Sequence, residues 1–238
     1  MPVPERRFLP TRLAGRARSA LTRGWYWGAD YRYAVRAQGR GLVSRQVPDG
    51  YRSGTLPPVV LIAGVLEPWT LLRPVADRLN AAGHQVHVIP ELAYNVITVA
   101  EAAELASGVL AARELRDVIL VAHSKGGLVG KQMLATDVEG RIRQLIAIAT
   151  PFGGSTLARL IPSPTIRALR PEDATILDLA GRLELNSRIT SIYPAFDPHI
   201  PEGSRLPGAT NVEVPAMGHF RVLGDPDVLD AVVAAAAR

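Results

Sequence analysis

Residues 118–127 read Val-Ile-Leu-Val-Ala-His-Ser-Lys-Gly-Gly, an apolar run that leads directly into a serine and two glycines. The apolar run is typical of a buried strand, and the small residues around Ser124 favour a sharp turn into a helix. A serine hydroxyl attacks carbonyl groups well only where a base reaches it and backbone N–H groups stabilise the oxyanion. The pattern Ala122-x-Ser124-x-Gly126 therefore predicts a nucleophile elbow, with alanine in place of the usual first glycine.

Strands and helices alternate on both sides of this stretch. Continuous apolar strands joined by helical crossovers predict an α/β fold with a mainly parallel central sheet and helices on both faces. Proline-rich residues 153–188 interrupt the alternation, so we expect a small cap insertion there. The predicted strands are 58–63, 85–89, 117–122, 142–149, 189–194 and 211–214, and the predicted helices are 69–82, 99–113, 126–136 and 227–238. Thr98 and Glu101 have capping-box spacing at the second helix.

The positive charge of the chain is concentrated near its start. Residues 1–55 hold eleven arginines against three acidic residues, a net charge of +8, whereas the whole chain carries +5. The remaining residues are therefore slightly acidic, and we predict no nucleic-acid partner despite a pI near 10.0. The length and the 47% hydrophobic content allow one large core. We predict a leader, residues 1–55, and a body, residues 56–238.

The leader combines arginines with aromatic side chains. Residues 11–24 have the spacing of a short basic amphipathic helix, and Trp25, Tyr26, Trp27, Tyr31 and Tyr33 follow it. Two interpretations stay open: the rings pack onto the body, or the segment makes peripheral contact with a membrane surface. No apolar run is long enough to span a bilayer. We expect a cytoplasmic location, with peripheral membrane contact as the alternative.

Two histidines downstream of Ser124 are candidates for its base. His219 follows the strand 211–214 and precedes the last helix, where a loop carries an imidazole over the strand ends. His199 lies in a proline-flanked loop, and we expect it at the surface or the rim of a pocket. The sequence therefore predicts His219 as the base.

Asp197 is the predicted carboxylate that orients His219. It follows the strand 189–194 and opens a loop, so its side chain emerges beside the next strand. The competing acids are Glu202, deeper in the loop, and Glu213, in the middle of a strand. Asp197 also precedes a proline, and an Asx turn is the alternative role for its side chain.

Two backbone amides are predicted to form an oxyanion hole. The Lys125 N–H follows the nucleophile at the start of a helix, whose dipole favours negative charge. The second donor should come from the turn after the first strand, where Gly64 permits an unusual backbone conformation. Val65 N–H is the best candidate there.

Together these residues resemble the α/β-hydrolases of the bacterial lipase and esterase type. The likeness rests on residues 122–127, on the turn at residues 149–155, and on Asp197 followed by Gly218-His219-Phe220, and it covers about residues 56–238. It implies an α/β-hydrolase fold, a triad of Ser124, Asp197 and His219, and oxyanion donors at Val65 and Lys125. Such lipases commonly have His-Gly after the first strand, where this chain has Ala63-Gly64.

The resemblance and the apolar residues near the elbow predict a carboxylic-ester hydrolase acting on lipid-like or other apolar acyl esters. An acyltransferase or perhydrolase using the same serine, and an inactive lipid-binding scaffold, are the alternatives. A metal site at His84, His87 and Glu91 is not expected, since these side chains diverge from one strand. No metal or cofactor is predicted. The predicted substrate-binding residues are Leu66, Trp69 and Phe152, and the wider apolar approach adds Leu157, Leu160, Ile161 and Ile166.

Overall fold

The computed structural model describes residues 24, 27–36, 39 and 46–238 of the chain. Its sheet has the strands β1 (Leu56–Ile62), β2 (His84–Val88), β3 (Val118–His123), β4 (Ile142–Ile148), β5 (Ile189–Phe196) and β6 (Thr210–Met217). The strand order is β2-β1-β3-β4-β5-β6, and every neighbouring pair is parallel. The predicted parallel α/β fold is confirmed.

Helices cover both faces of this sheet because its central strands are apolar on both sides. In β3, Val118, Leu120 and Ala122 pack against one helical layer, whereas Ile119 and Val121 pack against the other. The helices are α1 (27–36), α2 (Arg73–Ala81), α3 (Val99–Ala112), α4 (Lys125–Thr136), α5 (Pro164–Arg167), α6 (Ala174–Gly181) and α7 (Pro226–Ala236). The first layer contains α3, α4 and α6, and the second contains α2 and α7.

Local sequence signals explain several element ends. The predicted capping box forms at the start of α3, with Thr98 and Glu101 each accepting a backbone N–H from the other. The predicted helix 69–82 is instead a 3₁₀ turn, Trp69–Leu72, followed by α2. Pro74 has no backbone N–H to donate to the 3₁₀ turn, so the helical hydrogen-bond series is interrupted between the turn and α2.

Strand β5 is longer than predicted and passes through Pro194. Its pairing with β4 ends at Ile192, and its pairing with β6 shifts register just after Pro194. A proline at a register shift costs no ladder hydrogen bond, so the strand continues. As a result, the end of β5 delivers Asp197 to the carboxyl edge of the sheet.

The leader contributes helix α1 to this architecture. Asp30 and Ala34, one helical turn apart, are both buried. The predicted basic helix 11–24 lies, apart from Gly24, outside the described residues. Among the described helices, none is long and apolar enough to cross a membrane.

Candidate active site

Ser124 occupies a strained turn between β3 and α4. Its backbone has φ 53° and ψ −125°, a conformation that non-glycine residues rarely adopt. The turn requires small neighbours: a Cβ on Gly126 would lie 2.3 Å from the Ile62 carbonyl oxygen, and one on Gly127 would lie 2.0 Å from Thr150 Oγ1. The strand, turn and helix therefore have the geometry of a nucleophile elbow.

The structure brings Ser124, His219 and Asp197 together in one hydrogen-bonded series. His219 Nε2 lies 3.0 Å from Ser124 Oγ, and His219 Nδ1 lies 2.8 Å from Asp197 Oδ2. All three side chains are almost completely buried. The serine hydroxyl therefore faces a nitrogen that accepts a proton, and the other ring nitrogen faces a carboxylate that fixes the tautomer.

Both roles considered for Asp197 occur at once, because its two carboxylate oxygens have different partners. Oδ1 accepts the N–H groups of His199 and Ile200 in an Asx turn, while Oδ2 faces His219. The competing acids lie elsewhere. Glu202 accepts the Thr156 N–H at the surface, and the Glu213 side chain is exposed on β6.

Electrostatics favour a protonatable His219 beside an ionised Asp197. Burial lowers the pKa of His219, but the charge and hydrogen bond of Asp197, together with the charges of Glu67 and Asp30, raise it above its usual value. Burial raises the pKa of Asp197, but the charge and hydrogen bond of His219, together with the N–H and the charge of His199, outweigh burial and lower this pKa. Burial lowers the pKa of His199, whose ring centroid lies 4.9 Å from that of His219, to about 4.

The turn that carries the predicted oxyanion donor is held from several sides. Gly64 N–H donates to Glu67 Oε2 at 2.8 Å, and Leu66 N–H donates to the Tyr94 carbonyl oxygen at 2.7 Å. Asn95 Nδ2 donates to the Ala63 carbonyl oxygen at 2.8 Å. Val65 lies between these fixed points and lines the cavity that contains Ser124.

Lys125, the other predicted donor, sits at the first position of α4, where backbone amides have no intrahelical acceptor. Its side chain is buried and donates to the carbonyl oxygens of Asn95 and Ile97. Burial lowers the pKa of this amine to about 8, and the negative charge of Glu101 offsets only part of that effect. The side chain thus fixes the 95–97 loop behind the turn, while the backbone amide remains at the elbow.

A buried pair, Glu67 and His123, connects this turn to the backbone of His219. His123 Nδ1 lies 2.8 Å from Glu67 Oε2, and His123 Nε2 lies 2.9 Å from the His219 carbonyl oxygen. Sequence reasoning did not identify either residue. The only local signals were a carboxylate three residues after Gly64 and a histidine at the elbow.

In the described part of the chain, Glu67, His123 and His219 are the one group of three or more possible metal-binding side chains. Their potential ligand atoms lie within 4.8 Å of one another. Both His123 nitrogens and the Glu67 carboxylate already take part in hydrogen bonds within the group. A cation would have to replace these bonds, so the donor set fits a proton-linked network better than a metal centre. His84, considered earlier, contacts the Pro57 carbonyl oxygen through Nδ1 instead.

A cavity of about 370 Å³ opens onto Ser124 and His219. Leu66, Leu157, Ile161 and Ile166 line it, as the sequence predicted. Helix α1, which sequence reasoning placed in a separate leader, adds Tyr31, Ala34 and Val35 to its wall.

Three residues of the predicted apolar approach lie outside this lining. Trp69 packs edge-on against Tyr51 with ring centroids 6.3 Å apart, since the 3₁₀ turn before α2 directs it into the opposite core layer. Phe152 is buried in the core layer of α3 and α4. Leu160 is 77% exposed. These residues are therefore core or surface side chains and do not form the wall beside Ser124.

No family model and no curated protein sequence matches the chain. Similar solved structures include Aspergillus fumigatus lipase B, with a TM-score of 0.64 and 20% identity over 81% of this chain and 56% of that one. An extracellular α/β-hydrolase from a Paenibacillus species has a TM-score of 0.55 and 19% identity over 76% of this chain and 98% of that one. The mature form of a Bacillus licheniformis lipase has a TM-score of 0.55 and 17% identity over 79% and 94%, respectively.

The chain spans little more than half the length of the Aspergillus lipase. At 17–20% identity these likenesses establish a shared architecture. That architecture agrees with the six parallel strands, the helices on both faces and the strained serine between β3 and α4. The chain therefore has the α/β-hydrolase fold.

Proposed function

We propose that the protein is a serine hydrolase that cleaves carboxylic esters with apolar acyl groups through an acyl-enzyme intermediate on Ser124. The hydrogen-bonded series Ser124–His219–Asp197, at 3.0 Å and 2.8 Å, is the observation that carries the proposal. A buried serine with an aligned base and an oriented carboxylate has the arrangement required of an activated nucleophile.

In the first half-reaction Ser124 Oγ attacks the ester carbonyl carbon and its proton moves to His219 Nε2. Asp197 stabilises the imidazolium, and the backbone N–H groups of Lys125 and Val65 stabilise the negative charge on the former carbonyl oxygen. When the intermediate collapses, the carbon–oxygen bond to the alcohol breaks and His219 protonates the leaving alkoxide. The acyl group is then esterified to Ser124.

In the second half-reaction water replaces the alcohol. His219 takes a proton from the water as its oxygen attacks the acyl carbon, and the same two amides stabilise the new oxyanion. Collapse releases the carboxylic acid, and Ser124 recovers its proton from His219. These steps balance with the chain's own residues, the ester and one water molecule.

The composition of the cavity supports an apolar acyl group. Its volume of about 370 Å³ falls within the range of small-molecule sites, and most of its lining is aliphatic or aromatic. The polar side chains in the lining are those of Ser124 and His219, together with Tyr31, Glu67, Ser155 and His199. An acyl chain in this cavity would remove apolar surface from water, which favours binding.

A fluorophosphonate probe tests the proposal directly. The wild-type protein should be covalently labelled, and mass spectrometry of peptides should locate the adduct on Ser124, because phosphonylation requires an activated serine. The Ser124→Ala variant should remain unlabelled under the same conditions. Wild-type protein that stays unlabelled while a known serine esterase reacts fully would refute the proposal.

The acyl preference of the enzyme should depend on Ala158, a buried residue of the cap that lines the cavity. Ala158→Leu should lower kcat/KM for p-nitrophenyl decanoate about tenfold relative to the acetate, because added methyl groups occupy space that a long chain needs. The matched control is Ala111→Leu on the exposed side of α3. An unchanged ratio between the two esters in Ala158→Leu would contradict this assignment of the acyl pocket.

A further inference from the structure

Asp30 is a fully buried carboxylate on α1, far from the reacting residues in sequence. Its Oδ2 accepts the His219 N–H at 3.0 Å, and its Oδ1 accepts the N–H groups of Phe220 and Arg221, both at 2.9 Å. Three consecutive backbone amides therefore converge on one side chain. Such a concave group of amides is a favourable site for a negative charge, and charge-assisted hydrogen bonds are stronger than neutral ones.

The backbone before His219 is shaped to admit this carboxylate. Gly218 has φ +106°, and a Cβ at that position would lie 2.6 Å from Asp30 Oδ1. Only glycine allows both the positive φ and the close approach. The Gly218 N–H, in turn, donates to the Phe196 carbonyl oxygen at 2.9 Å, which ties the loop to the end of β5.

Aromatic contacts hold α1 against this loop. The Trp27 and Tyr31 rings lie 5.0 Å and 5.5 Å from the His199 ring, measured between centroids, and Tyr31 also lies 6.2 Å from Phe220. The His199 ring lies 4.9 Å from His219. Helix α1 thus contacts the reacting histidine through its carboxylate and through a layer of rings.

We propose that Asp30 is a positioning residue for His219, so that α1 is an integral part of the active site; this inference rests on the proposed hydrolase function. Asp30 is fully buried and takes no direct part in the proposed bond-making and proton-transfer steps. It holds the backbone of residues 219–221, and the imidazole of His219 has only two side-chain torsions with which to reach both Ser124 and Asp197. A misplacement of about 1 Å at such a group can cost about 100-fold in rate.

Asp30 also acts on His219 through its charge. Among the described residues, five titratable groups face His219: Asp197 after β5, Glu67 after β1, Asp30 on α1, His199 in the β5–β6 loop and His123 at the end of β3. The negative charge of Asp30 is one of those that raise the pKa of His219. Removing it should lower that pKa, so the base would stay neutral, and active, down to a lower pH.

The test compares Asp30→Asn and Asp30→Ala with the wild type, with p-nitrophenyl butyrate as substrate and rates normalised to sites titrated by the fluorophosphonate. Asp30→Asn should lower kcat about 10-fold and Asp30→Ala about 100-fold, with KM nearly unchanged. In Asp30→Asn the acid limb of the pH profile of kcat/KM should move to lower pH, because the pKa of His219 is lower. Asp49→Asn, an exposed leader carboxylate, is the matched control and should behave as the wild type.

Rates expressed per titrated site count only folded protein, so they distinguish an effect of Asp30 on the position of His219 from an effect on folding. If the folded fraction of both variants keeps the wild-type kcat and acid limb, Asp30 is merely structural and the inference is overturned. An NMR titration of the His219 ring in wild type and Asp30→Asn gives a readout independent of turnover. A lower pKa in the variant supports the inference, and an unchanged one contradicts it. If the proposed function itself is wrong, the result is different: the wild-type protein stays unlabelled by the fluorophosphonate.

Discussion

Replacing Ser124 with alanine should lower the turnover of p-nitrophenyl butyrate by at least about 10⁴-fold while leaving the protein folded. In the proposed mechanism the hydroxyl oxygen forms the covalent intermediate, so its removal leaves His219 without a nucleophile to activate. Alanine fits the elbow, since Ser124 makes no side-chain cap to α4. The measurement is steady-state hydrolysis at saturating ester, with thermal unfolding recorded in parallel.

Ser187→Ala is the matched control for this change, because Ser187 is an exposed serine whose hydroxyl donates to the Glu184 carbonyl oxygen. Its turnover should equal that of the wild type. A Ser124→Ala protein that retains wild-type turnover would show that another group performs the chemistry. Residual activity about 10³-fold above the uncatalysed rate is still compatible with the proposal, because the oxyanion donors and substrate binding remain.

The sequence predicted that Ser124, Asp197 and His219 would meet because each of them carries a local signal. Ser124 lies in a contiguous elbow motif, while Asp197 and His219 each follow an apolar strand of a parallel sheet. Parallel strands present their carboxyl ends at one edge, so side chains that leave those ends meet there. Chain order then made Asp197 and His219 the natural partners of Ser124.

Asp30 and the Glu67–His123 pair had no comparable signal. Asp30 lies 189 residues before His219 in the chain, and its contact depends on where α1 docks, which no local periodicity specifies. An acidic residue in an arginine-rich leader looks like a surface charge until the helix is placed. The prediction that Trp69 binds substrate was wrong for a related reason. The sequence located Trp69 near the elbow turn but did not reveal which core layer its side chain enters.

Glu67→Leu should lower the free energy of unfolding by about 3–5 kcal/mol, the usual cost of removing one partner from a buried carboxylate–histidine contact. Glu67 is 2% exposed and His123 is fully buried. The two ring nitrogens of His123 face different oxygens, Nδ1 the Glu67 carboxylate and Nε2 the His219 carbonyl oxygen. Leucine would leave the His123 Nδ1–H and the Gly64 N–H without an acceptor. Urea denaturation measures the loss.

Glu67→Gln should cost less, about 1–3 kcal/mol, because the amide oxygen satisfies only part of what the carboxylate accepts. Glu104→Gln, on the exposed side of α3, is the matched control and should change the free energy of unfolding by less than about 0.5 kcal/mol. An unchanged urea midpoint in Glu67→Leu would mean that the pair does not contribute to stability.

The double variant Glu67→Leu/His123→Phe shows whether Glu67→Leu acts by leaving His123 without its partner or by changing the packing. Removing both partners leaves neither side chain buried without the other, so the double variant should be more stable than Glu67→Leu alone. Its hydrolysis should nevertheless stay impaired, because Gly64 N–H has still lost its acceptor, which loosens the turn that carries the proposed oxyanion donor Val65. Loss of one oxyanion donor costs about 10²–10³-fold in kcat. Recovery of stability together with full recovery of kcat would argue that the Glu67–His123 pair serves folding alone.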